Sequence, residues 1–532
     1  MEKRLFLAIL LSIFVLIVYS SIMSQFAPKQ TYSPLSLEDK PAQKSLTAQE
    51  DNYPQTTVNK EVMENIETEP FDLEQNLSPI ALQNNKLQLL INVDGTGVKE
   101  AIDKTYDIPL PQINIGGLRS RQGQHSMVKE FSNGLEITFK DNQKNLIITQ
   151  TYRLIADSNL VELNIDIVNN SKQMSYIDYS LNIASIKEDV IKKNPMDSRY
   201  YEFSISLPDK VLRKQFTGFK PPAYEAPIEW IGVRDRYFCS IVKPLQATGR
   251  LEKVKKDGVI SYLLHSKSIP LSPFTSTSQN FEIYIGPQIP DTISEWDPEC
   301  AAIVNYGFLD TVSQMLLGVL RFLNNLCKNW GLTIIVFSFL VFVALSPLSI
   351  KSFSSMKRMQ ELQPAMEALK QKYKDSPQKL NKELMELYRE KKINPLGGCL
   401  PMLLQMPIFI SLFKLLMRLV DLKGESFLWI NDLSMPDRLI MLPRSFPIIG
   451  NEINLLPLLM IGTMLLQQRL TSAQHGKGES AANQQKMMSL FMSVFFGIIF
   501  YHMPSCLVLY WSVNSFLMLL FQMRIFAKPK GV

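Results

Sequence analysis

The sequence predicts a polytopic α-helical membrane protein with a large all-β domain held on the side of the membrane away from its basic loops. Three observations predict it. Mean hydropathy over 532 residues is zero, yet apolar residues crowd the extreme N-terminus and the stretch after about Trp330. Residues 28 to 300 read like a water-exposed protein with period-two alternation. Lys and Arg are distributed unequally among the loops between apolar segments. A chain of this length exceeds one compact domain.

The first element is a 19-residue apolar stretch, Leu5 to Met23, preceded by Lys3 and Arg4. At 1.5 Å per residue it is long enough to cross roughly 30 Å of hydrocarbon. A cleavable signal peptide is the alternative, but the apolar run exceeds the usual h-region and no A-x-A site follows, which favours an uncleaved anchor over residues 1–27. Residues 28–70 are rich in Gln, Thr, Ser, Glu and Pro and cannot bury enough surface to offset ordering entropy, so they read as a tether. From Phe71 to about residue 300 the pattern is that of strands. Val161, Leu163, Ile165 and Ile167 alternate with Glu162, Asn164 and Asp166, so one face is buried and the other wet. Similar runs at Lys86 to Val93, Gly134 to Lys140, Asn145 to Tyr152 and Phe281 to Ile285, with turn signals at Asp94-Gly95 and Asn133-Gly134, make a large antiparallel β-sandwich.

Within residues 301–328, helical spacing begins at Phe308 and runs to Cys327. Leu309, Val312, Leu316, Val319, Leu323 and Leu326 share a face, with Asp310, Gln314, Arg321 and Asn325 elsewhere. An amphipathic helix lying in the membrane interface fits this, as does a helix packed on the β-domain. Five apolar segments follow within 329–532: Trp330 to Ser349, Leu400 to Val420, Leu455 to Leu470, Met487 to His502 and Cys506 to Phe526. With the anchor they give six spans. Residues 351 to 398 carry eleven Lys and Arg and belong in the cytoplasm, whereas Asp421 to Asn454 has three against five acidic residues and belongs outside. Arg469, Lys477 and Lys486, and the tail residues Arg524, Lys528 and Lys530, return to the cytoplasm. Both termini are then cytoplasmic and the β-domain is not.

The basic loop is expected to be a two-helix hairpin over 351–393, Ser352 to Lys374 and Pro377 to Lys392, broken at Asp375-Ser376-Pro377. Met356, Met359, Met366 and Met385 offer either an adaptable surface for apolar segments or ordinary hairpin packing. Five scattered cysteines without CxxC spacing and four dispersed histidines indicate neither a disulfide framework nor a metal site. No GxxxxGK[ST] run points to nucleotide hydrolysis. No cofactor is expected, and no residue is asked to perform covalent chemistry.

The run Lys392-Ile393-Asn394-Pro395-Leu396-Gly397-Gly398-Cys399-Leu400-Pro401, then Gln405-Met406-Pro407-Ile408-Phe409, resembles the signature of the YidC/Oxa insertase family. Asn329-Trp330-Gly331, Ser346-Pro347-Leu348, Trp429 to Ser434, Pro504-Ser505 and Leu507 to Trp511 fit the same pattern. So do Trp230-Ile231-Gly232, Asp235 to Phe238 and Gly286-Pro287, so the resemblance spans essentially the whole chain in order. It implies a bacterial inner-membrane protein with a five-helix core around a hydrophilic groove, open to cytoplasm and lipid. It also implies a periplasmic β-supersandwich of galactose-mutarotase-like shape. The implied function is insertion and folding of nascent membrane proteins, alone or with the Sec translocon, with the ribosome and signal recognition particle components docking on the cytoplasmic side.

Relatives carry an arginine in the groove four residues before the Ser-Pro-Leu-like end of the second span, and here that position is Phe342. The third span instead holds Lys414 and Arg418. A cation in a span costs roughly 2.5–3.5 kcal/mol on insertion scales and normally faces protein or water. Lys414 is therefore a candidate for the groove's positive charge, the alternative being that both side chains snorkel outward. Further groove candidates are Ser338, Gln405, Tyr510, Trp511, Ser512 and Asn514, with helix-to-helix hydrogen bonding as the other reading. The resemblance places Ser338 and Trp511 where relatives contact substrate, Trp511 standing for the usual second tyrosine. A solute or ion transporter is the rival class and requires inverted repeats and paired intramembrane charges, neither of which is visible. A membrane-anchored sugar-processing enzyme is a weaker rival, resting on domain shape alone.

Overall fold

The structure, a computed structural model, describes residues 56–57, 79–92, 97–106, 108–109, 115–118, 124–131, 134–141, 145–193, 195–222, 227–246, 249–373, 376–391, 400–446, 449–472 and 479–526. The expected anchor at 5–23, most of the tether, the turn Asp94-Gly95, the motif at 392–399 and the basic tail after 526 lie outside the described residues. A two-residue strand, Thr56–Thr57, inside the stretch expected to be a tether, pairs with Thr275 and Ser276.

Two large antiparallel sheets form the β-domain, with a small two-stranded sheet, Ser175–Ile177 paired with Ile269–Leu271, beside them. The larger runs, in spatial order, through Lys210–Gln215, Glu202–Leu207, Trp230–Arg234, Phe238–Pro244, Thr275–Pro287, Leu160–Asn169, Leu146–Leu154, Gly134–Asp141 and Gln124–Phe131. The second runs through Arg250–Lys256, Val259–His265, Ser180–Lys187, Ile115–Leu118, Gly97–Asp103, Leu87–Asn92 and Ile80–Gln83. The alternation read from Val161 to Ile167 is what puts Leu160–Asn169 in the middle of the first sheet. Val161, Leu163, Ile165 and Ile167 are all buried, and Leu163 faces Tyr152 on one neighbour and Phe281 on the other. Across the interior, Phe203 of one sheet stacks on Tyr262 of the other at 3.9 Å between centroids, with Phe216 and Phe219 edge-on to the same tyrosine. The Tyr262 hydroxyl, buried, donates within reach of two carbonyls, 2.6 Å from that of Phe216 and 3.2 Å from that of Phe219. Its polar tip is thereby satisfied inside an apolar core.

Asp235, in the turn between Trp230–Arg234 and Phe238–Pro244, accepts the backbone N–H groups of Tyr237 at 2.8 Å and Phe238 at 2.6 Å. Some of the residue's surface is exposed, but its carboxyl is enclosed. Desolvation pushes its pKa up to about 6 from 3.8, the two N–H groups and Lys423 pulling it down and Asp197 adding to the rise. A pKa raised on folding means that the folded state holds the proton more tightly. The associated stability is full below about pH 3.8 and is lost as pH rises through about 6. We expect Asp235→Asn, which keeps an acceptor for the turn, to flatten that loss by about 3 kcal/mol, the rise being roughly two pKa units at about 1.4 kcal/mol each. Thermal melts of the two proteins from pH 4 to 7 check it, and parallel curves would exclude it.

The second half is helical. Helix α1 is Asp310–Cys327, α2 Trp330–Glu361, α3 Gln363–Lys372, α4 Pro377–Glu390, α5 Leu400–Leu416, α6 Leu455–Ser472, α7 Glu479–Tyr501 and α8 Ser505–Phe526. Each of the five apolar segments is thus a helix. By length and composition alone, among the described residues, Trp330–Ser352 and Ser505–Arg524 suffice to cross a membrane, and Gln405–Leu416 and Leu490–Tyr501 are shorter apolar stretches. Helix α1 ends at Lys328 in the left-handed conformation, and Asn329 then caps α2, its side-chain oxygen accepting from Leu332 N–H at 3.0 Å.

Two helix boundaries differ from the sequence reading, each for a local reason. Ser346-Pro347 was expected to close the second span, and the apolar stretch does end nearby at Ser352, but the helix itself continues through the proline to Glu361. Pro347 lacks the N–H that would reach the Val343 carbonyl, and the Ser346 hydroxyl donates to that carbonyl instead at 2.8 Å. The hairpin's first arm is correspondingly not one helix from Ser352: it breaks at Leu362, where Pro364 opens α3. In α1 the apolar positions divide into two faces rather than one. Leu316, Leu317, Leu320 and Leu323 are buried with Ser313, while Met315, Val319, Phe322 and Leu326 are exposed. Val319 and Leu326 were read onto one face with Leu316 and Leu323 and fall on the other, and an eighteen-residue helix this apolar has stripes for both the bundle and its surroundings.

Candidate functional site

Helices α2, α5, α6, α7 and α8 pack into one bundle, α8 touching α2, α5 and α6. Its end nearest the β-domain is closed by the segment between α5 and α6. Val420, Leu422, Ile430, Leu433, Ser434, Asp437 and Asn454 are all buried there. The Asp437 carboxylate accepts from the indole of Trp429 at 3.2 Å and from Leu456 N–H at 2.6 Å, placing an anion at the first turn of α6. Ser505 and Cys506, opening α8, donate backbone N–H groups to Met435 and Leu433 carbonyls at 2.8 and 2.9 Å. Gly331 at the start of α2 is required by a close approach: a Cβ there would meet Phe427 at 2.1 Å. The β-domain is tied to this closure by Arg236, whose Nε donates to the Met417 carbonyl at 2.6 Å and which reaches the Ser434 carbonyl at 3.5 Å. Its guanidinium also lies 3.5 Å from Asp197 and over the Tyr237 ring at 4.8 Å.

Several polar side chains of α5, α6 and α8 lie between the helices below that closure. Gln405 of α5 donates to the Tyr510 hydroxyl of α8 at 2.7 Å, and Asn514 one turn on donates to the Tyr510 carbonyl at 3.0 Å. Gln467 of α6 donates to the Ser515 carbonyl at 2.5 Å. Ser512, Ser515, Leu519 and Gln522 lie along one side of α8 at helical spacing, while Phe516, Leu520 and Met523 form an exposed side. The Ser512 hydroxyl and the Gln522 side-chain carbonyl are buried with no hydrogen-bond partner among the described residues. Gln467 and Gln522 were missed in the sequence. The available signal was an amide inside an otherwise apolar span, a weaker one than a charge.

Other candidates sit differently. Ser338 is fully buried and its hydroxyl donates to the Ile334 carbonyl of its own helix at 2.7 Å. Phe342 meets Phe521 of α8 edge to face at 5.8 Å, so apolar packing occupies the position where an arginine was expected. Trp511 lies in an aromatic cluster with Phe409, Phe496 and Phe500 at 4.9, 6.0 and 5.3 Å. Lys414, expected in the groove, has its ammonium over the Phe308 ring at 5.2 Å and beside Gly307, next to the β-domain. Arg418 donates to the Asn305 carbonyl at 2.8 Å and stacks over Tyr200. In the hairpin, Met359 and Met366 are half-buried, Met366 receiving the Tyr388 hydroxyl at 3.5 Å, and Met385 is exposed. The side chain of Met356 lies outside those described.

Two family models match successive parts of the chain. One, described as the YidC periplasmic domain, covers residues 119–319, and the other, described as 60Kd inner membrane protein, covers 322–530. A protein of Syntrophobacter fumaroxidans named membrane protein insertase YidC is 32% identical over 387 residues, 70% of this chain and 66% of that protein. The proteins of the same name in Legionella pneumophila strain Paris and Geobacter sulfurreducens are 32% and 30% identical, spanning 75% and 70% of this chain and 70% and 67% of their own. Against the Syntrophobacter, Pelobacter propionicus and Chlorobium phaeovibrioides proteins, the chain spans between 49% and 66% of their length. A solved structure described as an active YidC insertase with its first transmembrane domain resolved aligns with 87% of this chain and 95% of its own, at 19% identity and a TM-score of 0.38.

Proposed function

The chain belongs to the YidC family of membrane protein insertases, inner-membrane proteins with a periplasmic β-rich domain, and on that premise we propose that it inserts and folds nascent membrane proteins through a hydrophilic groove inside its bundle. The observation that carries the reading is a pair of buried oxygens, Ser512 Oγ and Gln522 Oε1, that have no partner among the described residues, in a bundle whose end toward the β-domain is sealed. In hydrocarbon each unpaired polar group costs several kcal/mol, roughly, so a polypeptide's polar tail crosses more easily where protein amides and water replace lipid. The groove comprises Gln405, Gln467, Tyr510, Ser512, Asn514 and Gln522. Ser338 and Trp511 form its inner wall, and Phe342 leaves it without the usual cation. Lys414 is reassigned from the groove to the cleft beside Gly307.

The full reading has six spans with both termini cytoplasmic, and the hairpin α3–α4 faces the cytoplasm as a contact surface for emerging segments, Met385 being its exposed methionine. Partners are the nascent chain, the surrounding lipid, the Sec translocon, and the ribosome with signal recognition particle components. The relatives described above are all named insertases, and the transporter alternative finds no support.

Photo-crosslinkers at Asn514 and Gln467 are expected to capture a stalled nascent membrane protein, whereas one at Phe516, on the exposed side of α8, captures mainly lipid. Equal capture of the nascent chain from all three positions, or from Phe516 only, would remove the assigned path.

A further inference from the structure

Between the β-domain and the end of α5 lies a cavity of about 420 Å³ whose charge is strongly one-sided. Six cationic side chains line it, Arg199, Arg213, Lys214, Arg234, Lys414 and Arg418, against a single carboxylate, Glu202. That carboxylate is already engaged, 2.8 Å from Arg234 Nη2. Arg234 also donates from Nη1 and Nη2 to the Ile303 and Asn305 carbonyls, and Arg418 donates to the latter as well. Arg213 reaches the Ala302 carbonyl. The Nε groups of Arg213 and Arg234 are buried without a hydrogen-bond partner among the described residues, and Arg234 as a whole is 2% exposed. Burial, then the neighbouring Arg234, pushes the Arg213 pKa down, with Glu202 and Asp310 opposing. Crowding cations this closely costs energy that an anion would return.

We propose that this cavity binds the phosphate of an anionic phospholipid headgroup from the leaflet on the β-domain side. Position argues for lipid over a soluble anion. Lys414 lies two residues from the end of the apolar helix α5, and the cavity's rim is Gly307, followed by Phe308, which is 73% exposed. Phe308 heads the exposed apolar stripe Met315, Val319, Phe322 and Leu326 of α1, the helix whose sequence suits a membrane interface, so the cavity opens beside an apolar surface that suits acyl chains. Guanidinium forks beside an ammonium suit phosphate oxygens. Gly307 is part of the fit: it sits at φ +94°, and a Cβ there would meet the Lys414 ammonium at 2.6 Å.

The test uses the full-length protein in neutral detergent, titrated with short-chain phosphatidylglycerol, with phosphatidylcholine, and with inorganic phosphate, reading thermal stabilisation and native mass spectra. Phosphatidylglycerol is expected to bind saturably and at least tenfold more tightly than phosphatidylcholine. Arg213→Gln combined with Lys414→Gln is expected to lose at least tenfold of that affinity. Lys414→Arg alone, folding as wild type and keeping the charge, retains it. The proposal is overturned if the two lipids bind alike, if the double variant binds as wild type while melting as wild type without lipid, or if Lys414→Arg loses binding as fully as the double variant. Equal stabilisation by inorganic phosphate at the same concentration overturns the lipid assignment in favour of a soluble anion. Should the double variant fail to fold, Lys214→Gln is read instead, and unchanged phosphatidylglycerol affinity in it counts against the proposal.

Discussion

Replacing Arg236 with alanine is expected to unlock the β-domain from the helical bundle. The side chain is buried, ties Asp197 and two aromatic rings of its own domain together, and donates across to the Met417 carbonyl at 2.6 Å. Its removal strands that carbonyl, about 1–3 kcal/mol, and deletes a cation held over Tyr237, about 0.5–2 kcal/mol. Together these give roughly 1.5–5 kcal/mol, the carbonyl's share falling at the junction, and no strand of either sheet is touched. The consequence is local opening: the closing segment from Met417 to Ser434 becomes cleavable by protease while the β-domain keeps its own melting range. Arg250→Ala serves as the control, since the Arg250–Glu252 pair is exposed and screened and should change nothing measurable. Protection of Met417 to Ser434 identical in wild type and Arg236→Ala would refute the lock.

The elements of this fold were legible wherever one physical period ran uninterrupted. Period two from Val161 to Ile167 located a central strand, and the apolar segments at 330–349, 400–420, 455–470, 487–502 and 506–526 each became a helix. Single-residue chemistry was harder to read. A proline predicts a stop, but Ser346 one position earlier supplies the Val343 carbonyl with another donor, and α2 runs on. Nothing in the spacing of Lys414 says whether its ammonium turns inward or toward the β-domain. That is decided by the gap at Gly307, more than a hundred residues earlier, and by the Phe308 ring beside it. The basic cavity was invisible for the same reason, its cations coming from residues 199–234 and 414–418, which only the docked β-domain brings together. Of the polar residues within spans, Gln405, Ser338 and Ser512 were legible and Gln467 and Gln522 were not, and the bonding that separates them was not legible at all: Gln405 is bonded to Tyr510, Ser338 to its own helix, while Ser512 has an oxygen without a partner among the described residues.

That separation yields a prediction with opposite signs for stability and function. Where a buried polar atom has no partner, substituting an apolar group of similar size removes a desolvation cost, so the fold is unharmed or strengthened. Ser512→Val with Gln522→Leu should therefore leave the melting temperature equal to or above wild type. If those oxygens serve a wet path, the same double variant dries it, and client insertion in reconstituted vesicles should fall at least tenfold, about 1.4 kcal/mol on the barrier. Groove residues that are bonded to each other behave the other way. Tyr510→Phe leaves Gln405 without its 2.7 Å partner inside the bundle and should lower stability by about 1–3 kcal/mol. On the exposed side of α8, Leu520→Val touches no polar group and should alter neither quantity appreciably. A Ser512→Val, Gln522→Leu protein that melts higher and still inserts its client at the wild-type rate would mean that the two oxygens are incidental to transport and that the path runs elsewhere.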